Sequence, residues 1–282
     1  MSSTKLNLGC GGRFRDGWVN VNFASTGLGV IAADLGKGIP FPDQSFDVIY
    51  HSHLLEHFPK AHAPVFLKDC LRVLRPGGVI RIAVPDLEAI ARNYLLALEK
   101  ARSGIEGWDL NYDWMLLEMY DQVVRNQPGG EMARYLFNET IPNEQFVLER
   151  CGMEVKRLIE LGRERKTPSD CSSLGKRDSW PKRTYRLICD SNYRRKTLLK
   201  FILKDEYDAL QAGRFRKRGE VHQWMYDSYS LGKLLTDCGF DKAITRNANE
   251  SYLPDWSSYN LDTEPDGSIY KPDSLFMEAI KP

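Results

Sequence analysis

The sequence predicts an α/β protein: a mainly parallel sheet with an antiparallel edge strand, interrupted by a largely helical insertion. Three observations carry this expectation. Short Val- and Leu-rich runs alternate with helical periodicity over the first hundred residues; the alternation stops from about Ser103 to Arg218; and helix and strand patterns resume after it. The expected units are residues 1–102 with 219–282 as the sheet domain, and residues 103–218 as a helical, basic insertion.

LNLG (6–9), WVNVNF (18–23) and GVIAAD (29–34) read as the first three strands, and FDVIYHS (46–52), entered after the turn residues PFPDQS, as the fourth. APVFLKDCLRVL (63–74) repeats its apolar residues near helical period and stops at Arg75-Pro76-Gly77-Gly78, where proline cannot continue a helix. VIRIAV (79–84) is then a fifth, inner strand, largely apolar as burial on both faces requires. Asp86 is placed to cap the helix LEAIARNYLLALEKA, whose Leu87, Ile90, Tyr94, Leu95 and Leu98 share a face. Within the insertion, RRKTLLKFILK (194–204) predicts a core-facing helix with its lysines in water, or alternatively one lying on a membrane surface. SLGKLLTDCGF (230–240) is a helix stopped by Gly239, AITRNAN a strand, and SLFMEAI the last strand, after a turn at Glu264-Pro265-Asp266-Gly267.

Composition narrows the function classes. At 282 residues with no apolar run of membrane-spanning length and no secretory start, the chain is expected to be soluble and cytoplasmic. Six scattered cysteines without a CxxC pair point to reduced thiols rather than disulfides or a metal centre. A net charge of +1 conceals an asymmetry: Cys151 to Arg218 holds 19 Lys+Arg against 9 Asp+Glu, and the remainder 20 against 29. Such a basic segment suits phosphates, nucleic acid or anionic lipid, or the acidic remainder of its own chain.

Gly9, Gly11 and Gly12 stand where the first strand gives way to a turn, a place where glycine lets backbone approach a ligand at the C-terminal edge of a sheet. GxGxxG is absent, no Walker lysine follows, and the next strand begins too soon for a phosphate-facing helix, so a dinucleotide is not expected. The order LNLGCGG, Asp34-Leu35, HSHLLEH and LRPGG resembles the class I S-adenosylmethionine-dependent methyltransferases over residues 4–100 and 220–280, and more narrowly their small-molecule members associated with glycan biosynthesis.

That resemblance implies a Rossmann-like methyltransferase sheet, S-adenosylmethionine as cofactor, and particular roles. Gly9, Cys10 and Gly11 would face the methionine and ribose portions; Asn22 stands where an acid normally takes both ribose hydroxyls, and an amide lacks the charge-assisted strength of a carboxylate. Asp34 would accept from the adenine amino group beside the Leu35 backbone, and Ser52 and His53 would line the methionine end. The Asn/Asp-Pro-Pro-aromatic motif of amino-group methyltransferases is replaced by HSHL, so an oxygen acceptor is expected.

In-line methyl transfer to a hydroxyl needs positioning and a group to take the proton, and histidine suits that role. His57 and His222 are the candidate bases, with Tyr226 and Asp227 accompanying His222 at the acceptor. His53 and His57 flank Glu56, but the order departs from HExxH and no third ligand is evident, so no metal is assigned. The expected partner is a small-molecule or glycan acceptor. The alternatives are an RNA methyltransferase using the basic segment around Lys176 to Lys200, and a non-catalytic relative suggested by Asn22.

Overall fold

A computed structural model describes residues 3–164 and 189–282; the middle of the basic segment, with Cys171 and Lys176, lies outside the described residues. The strands are β1 (Lys5–Leu8), β2 (Val19–Asn22), β3 (Val30–Ala32), β4 (Phe46–Ser52), β5 (Leu74–Pro85), β6 (Asp241–Arg246) and β7 (Ser274–Ile280). They form one sheet of order β3-β2-β1-β4-β5-β7-β6. The pairings from β3 to β5 are parallel, and the antiparallel pairing falls at one end, where β7 runs against both β5 and the edge strand β6. Each predicted strand is present within one to three residues of its expected ends, except β5, which begins directly after the helix at Leu74.

The two-residue period of the strands sorts their side chains onto two unlike faces. Leu6, Leu8, Ile49, Ile80, Ile82 and Met277 join an apolar core with α1 (Ala63–Val73) and the helix after the insertion, α8 (Ser228–Asp237). The other face buries Asn7, Asn20, Tyr50, Arg81 and Glu278. No helix occupies either of the links from β1 to β2 and from β2 to β3, which are shorter than a helical crossover needs. The loop between β6 and β7 covers this face instead: Trp18 and Tyr50 meet Trp256 at ring-centroid distances of 6.3 and 5.4 Å.

A second apolar cluster forms among α2 (Leu87–Arg102), α3 (Trp108–Val124), α4 (Gly130–Leu136) and α5 (Glu144–Glu164), around Trp114, Met115, Val147 and Ile159. Asp86 caps α2 as expected, accepting from the Glu88 and Ala89 N–H groups at 3.0 and 3.2 Å. Gly152 breaks α5 with φ +68°, and a Cβ there would lie 2.4 Å from Pro272 Cδ. This glycine lets the loop before β7 meet the helix closely, with Met153 N–H donating to Tyr270 O at 3.1 Å. Glu154 is thereby set 2.8 Å from Lys271.

One expected element is placed differently. The helix containing RRKTLLKFILK forms as α6 (Ser191–Leu203), followed by α7 (Glu206–Arg216), but α6 buries no residue against the described chain. Leu198, Phe201 and Ile202 are 58, 80 and 61% exposed, so among the described residues the helix does not face a core as expected. The physical reason is composition: basic residues interleave with the apolar ones, and no continuous apolar stripe develops. No helix among the described residues is long and apolar enough to cross a membrane.

Candidate functional site

The chain leaves β1 at Leu8 and turns through Gly9 and Gly11, both at positive φ, +65° and +52°. A cavity of about 200 Å³ lies on this turn, bounded by Gly9, Cys10 and Gly11, by Ser52 and His53 at the end of β4, and by Lys271. The structure thus brings together five of the eight residues expected at the cofactor. No atom lies within 4 Å of where a Cβ would stand on Gly11 or Gly12, so the turn presents open backbone to a ligand. Two arginines hold it from outside. Arg13 donates to Glu264 at 2.8 Å and to Thr263 O at 2.9 Å and stacks 3.8 Å from the Tyr270 ring centre, while Arg15 donates to Tyr259 O and Asn260 O. Burial pushes the Cys10 thiol up, which keeps it an uncharged wall.

Asn22, Asp34 and Leu35 lie outside this cavity. Asn22 ends β2 and donates to Ala24 O at 3.2 Å. Asp34 follows β3, where its Oδ1 accepts from Gly36 N–H at 3.1 Å and its Oδ2 lies 3.2 Å from Lys37 Nζ. Leu35 is buried, lining a separate cavity with Phe58 and Phe66.

His53 borders a second, larger cavity of about 570 Å³, which reaches between the sheet edge and α3, α4 and α5. Its far wall is apolar, with Ile90, Met119, Met132, Leu136, Val155 and Met225; its near wall holds His53, His57, His222, Lys271 and Asp273. HSHLLEH supplies two of these groups, His53 and His57, through a sharp change of path. His53 stands at φ +48° and a single 3-10 turn, Leu55–His57, follows. The segment 221–224 lies across that turn: Gln223 and Trp224 N–H donate to Glu56 O at 2.7 and 3.2 Å, and His222 N–H to Gln122 O at 3.0 Å. These bonds seat the His222 ring 4.8 Å from the His57 ring.

Glu56, read from the sequence only as part of a departure from HExxH, is the residue whose setting the structure adds. It is fully buried, neither carboxyl oxygen has a hydrogen-bond partner, and Oε1 lies 3.4 Å from His53 Nδ1 and 4.0 Å from His222 Nε2. Burial pushes its carboxyl up to about 8. Burial also pushes His222 down to about 2, helped by neighbouring His57, and lowers His57 and His53. All three imidazoles are therefore neutral near pH 7. An imidazole so resistant to protonation is a poor general base, while its lone pair can still accept a hydrogen bond.

Tyr226 and Asp227, expected at the acceptor, serve the fold instead. Tyr226 is buried in the sheet core with its O–H unpartnered, burial pushing it up to about 12, and its carbonyl accepts from Leu87 N–H at 2.9 Å. Asp227 caps α8, accepting from Ser230 N–H at 2.7 Å while Ser230 Oγ accepts from Asp227 N–H. The residues on the cavity from this stretch are Glu220, His222 and Met225. His51 and His62 lie elsewhere: His51 packs on Phe66 in the core, and His62 precedes α1.

Asp273 carries a testable charge. Its Oδ1 is buried without a partner, and burial followed by the nearby Glu118 raises the carboxyl to about 7. Folding thus favours its protonated form, and that contribution to stability is full below an ordinary carboxylate pKa and is lost as pH rises through about 7. Asp273→Asn should unfold at a higher denaturant concentration than the wild type at pH 8, by on the order of 2 kcal/mol, with the gain shrinking toward pH 5.

Residues 6–82 match the family described as a methyltransferase domain. This stretch, which carries the glycine turn and runs from β1 into β5, is similar to the S-adenosylmethionine-dependent methyltransferase domains, and S-adenosylmethionine is the cofactor that the similarity indicates. The chain is 41% identical over 49 residues to a probable S-adenosylmethionine-dependent methyltransferase of Mycolicibacterium smegmatis, covering 17% of this chain and 18% of that protein. It is 40% identical over 52 residues to the 2-methyl-6-phytyl-1,4-hydroquinone methyltransferase of a Synechocystis species, 18% of this chain and 16% of that one. The matched stretches span less than a fifth of either relative. Among solved structures, a Thermotoga maritima methyltransferase described as a possible histamine N-methyltransferase aligns over 100% of this chain and 83% of its own, at 12% identity and TM-score 0.37.

Proposed function

We propose that the protein transfers a methyl group from S-adenosylmethionine to an oxygen of a small-molecule acceptor, glycan-related acceptors included, held in the larger cavity. The observation that carries this reading is that His53 borders both cavities, so a methyl group at the inner end of the first would face the polar wall of the second. Bound S-adenosylmethionine supplies an electrophilic methyl on a sulfonium. The glycine turn, Ser52 and His53 would hold its methionine end, and Asn22 with Asp34 its ribose and adenine beyond the cavity. Neutral His57 and His222 would accept the acceptor's hydroxyl hydrogen bond and fix its lone pair in line. The apolar far wall suits an acceptor with an apolar body better than a highly polar chain.

Calorimetry with S-adenosylmethionine, followed by an acceptor screen with labelled methyl, tests this; no cofactor binding at millimolar concentration would remove it. His222→Ala should lower turnover about tenfold, the worth of one hydrogen bond, with cofactor affinity nearly unchanged. A normal rate in that variant would return His222 to a structural role.

A further inference from the structure

We propose that Glu56, His57 and His222 form a binding site for one divalent first-row cation of the zinc or manganese kind, opening on the acceptor cavity. Each offers a donor atom, and the three atoms lie within 4.8 Å of one another. Two imidazoles and a carboxylate are a donor set that suits such ions. The sequence order, with the acid beside one histidine and the second histidine 165 positions later, hides this set; only the passage of segment 221–224 over the Leu55–His57 turn assembles it.

The surroundings point to a ligand rather than to packing. A fully buried carboxyl group with neither oxygen hydrogen-bonded is an expensive arrangement that a cation, taking the place of its proton, would relieve. His57 Nδ1 lies 3.3 Å from Val221 O; a carbonyl only accepts, so Nδ1 carries the proton and Nε2 keeps its lone pair. A backbone carbonyl fixing the tautomer in this way is the usual outer partner of a ligating histidine. The nearest cationic side chains, Lys271 and Arg125, disfavour positive charge at these histidines, and their pairing with Glu154 at 2.8 Å and Asp121 at 3.2 Å offsets part of that opposition. Ligand distances of about 2.0–2.2 Å would draw the donors together by about 1 Å, within the reach of side-chain rotation. With the ion bound, His57 and His222 give it their lone pairs in place of the hydroxyl hydrogen bond, and an acceptor hydroxyl in the larger cavity, which both histidines line, would reach the ion, which would lower its pKa and remove the need for a strong protein base. That consequence rests on the methyl-transfer reading; the cation site does not.

The test uses the untagged full chain, stripped with a chelator and titrated with Co²⁺ as a visible probe and Zn²⁺ as competitor. Wild type should take up a single equivalent, with a d–d absorption that Zn²⁺ abolishes. Glu56→Gln, which keeps size and shape, and His222→Ala should each weaken uptake at least about 100-fold while circular dichroism and S-adenosylmethionine affinity are retained. No stoichiometric uptake by the wild type, or uptake unchanged in both variants, would overturn the proposal. Cofactor calorimetry on the same samples judges the methyltransferase reading separately.

Discussion

Arg81→Ala is expected to cost about 3–5 kcal/mol of stability, the penalty for stranding the buried partners of a removed charge. Arg81 is fully buried in the middle of β5, and each of its five N–H groups has an acceptor. Nε donates to Asp262 at 2.7 Å; Nη1 to Glu278 at 3.0 Å and Glu250 O at 2.7 Å; Nη2 to Asn247 O at 3.0 Å and Ala248 O at 3.2 Å. This one side chain therefore seats the covering loop on the helix-free face and balances two buried carboxylates. Removing it leaves Asp262 held by Tyr50 at 2.6 Å and Glu278 by Arg246, Ser251 and Tyr252, with a net buried negative charge. Arg81→Lys should recover only part of the loss, because an ammonium has three donors and no planar fork. Thermal and urea unfolding of both variants checks this. An Arg81→Ala protein as stable as wild type would mean the loop is held by its aromatic contacts alone.

Arg81 also marks where the sequence stops being legible. VIRIAV reads as an inner apolar strand, and it is one; what the run cannot disclose is that its single charge faces partners 181 and 197 positions away. The elements that were legible depend on neighbours in sequence. The Asp86 cap, the stop of α1 before Arg75-Pro76 and the turn at Glu264–Gly267, closed by Gly267 N–H to Glu264 O, follow from local backbone chemistry. The site divides in the same way. Gly9, Cys10, Gly11, Ser52 and His53 lie at the ends of adjacent parallel strands, so strand order alone gathers them. Tyr226 and Asp227 were expected at the acceptor from proximity in sequence to His222, yet the start of α8 turns them toward the core and the cap. Glu56 had a signal, an acid within HSHLLEH, but its value depends on complete burial beneath a segment from beyond the insertion.

Gly9→Val should weaken S-adenosylmethionine binding by about 100-fold or more while leaving a folded protein. Two penalties combine. Gly9 sits at φ +65°, where a β-branched residue is an outlier costing about 1–2 kcal/mol. Its Cβ would also fall 3.0 Å from Leu54 Cδ1, an overpacking worth about 1–3 kcal/mol. Leu54 follows His53, which stands at φ +48° on both cavities, so displacing Leu54 disturbs the residue that the two cavities share. The glycine turn and HSHLLEH are in this sense one device: the first has no side chain at Gly9 because the second fills that space. A second substitution separates the two penalties. In Gly9→Val with Leu54→Ala the steric part is relieved and the backbone part remains, so affinity should recover by roughly tenfold but not completely. Full recovery would make the contact with Leu54 the whole reason for glycine; wild-type affinity in the single variant would mean that this turn does not hold the cofactor.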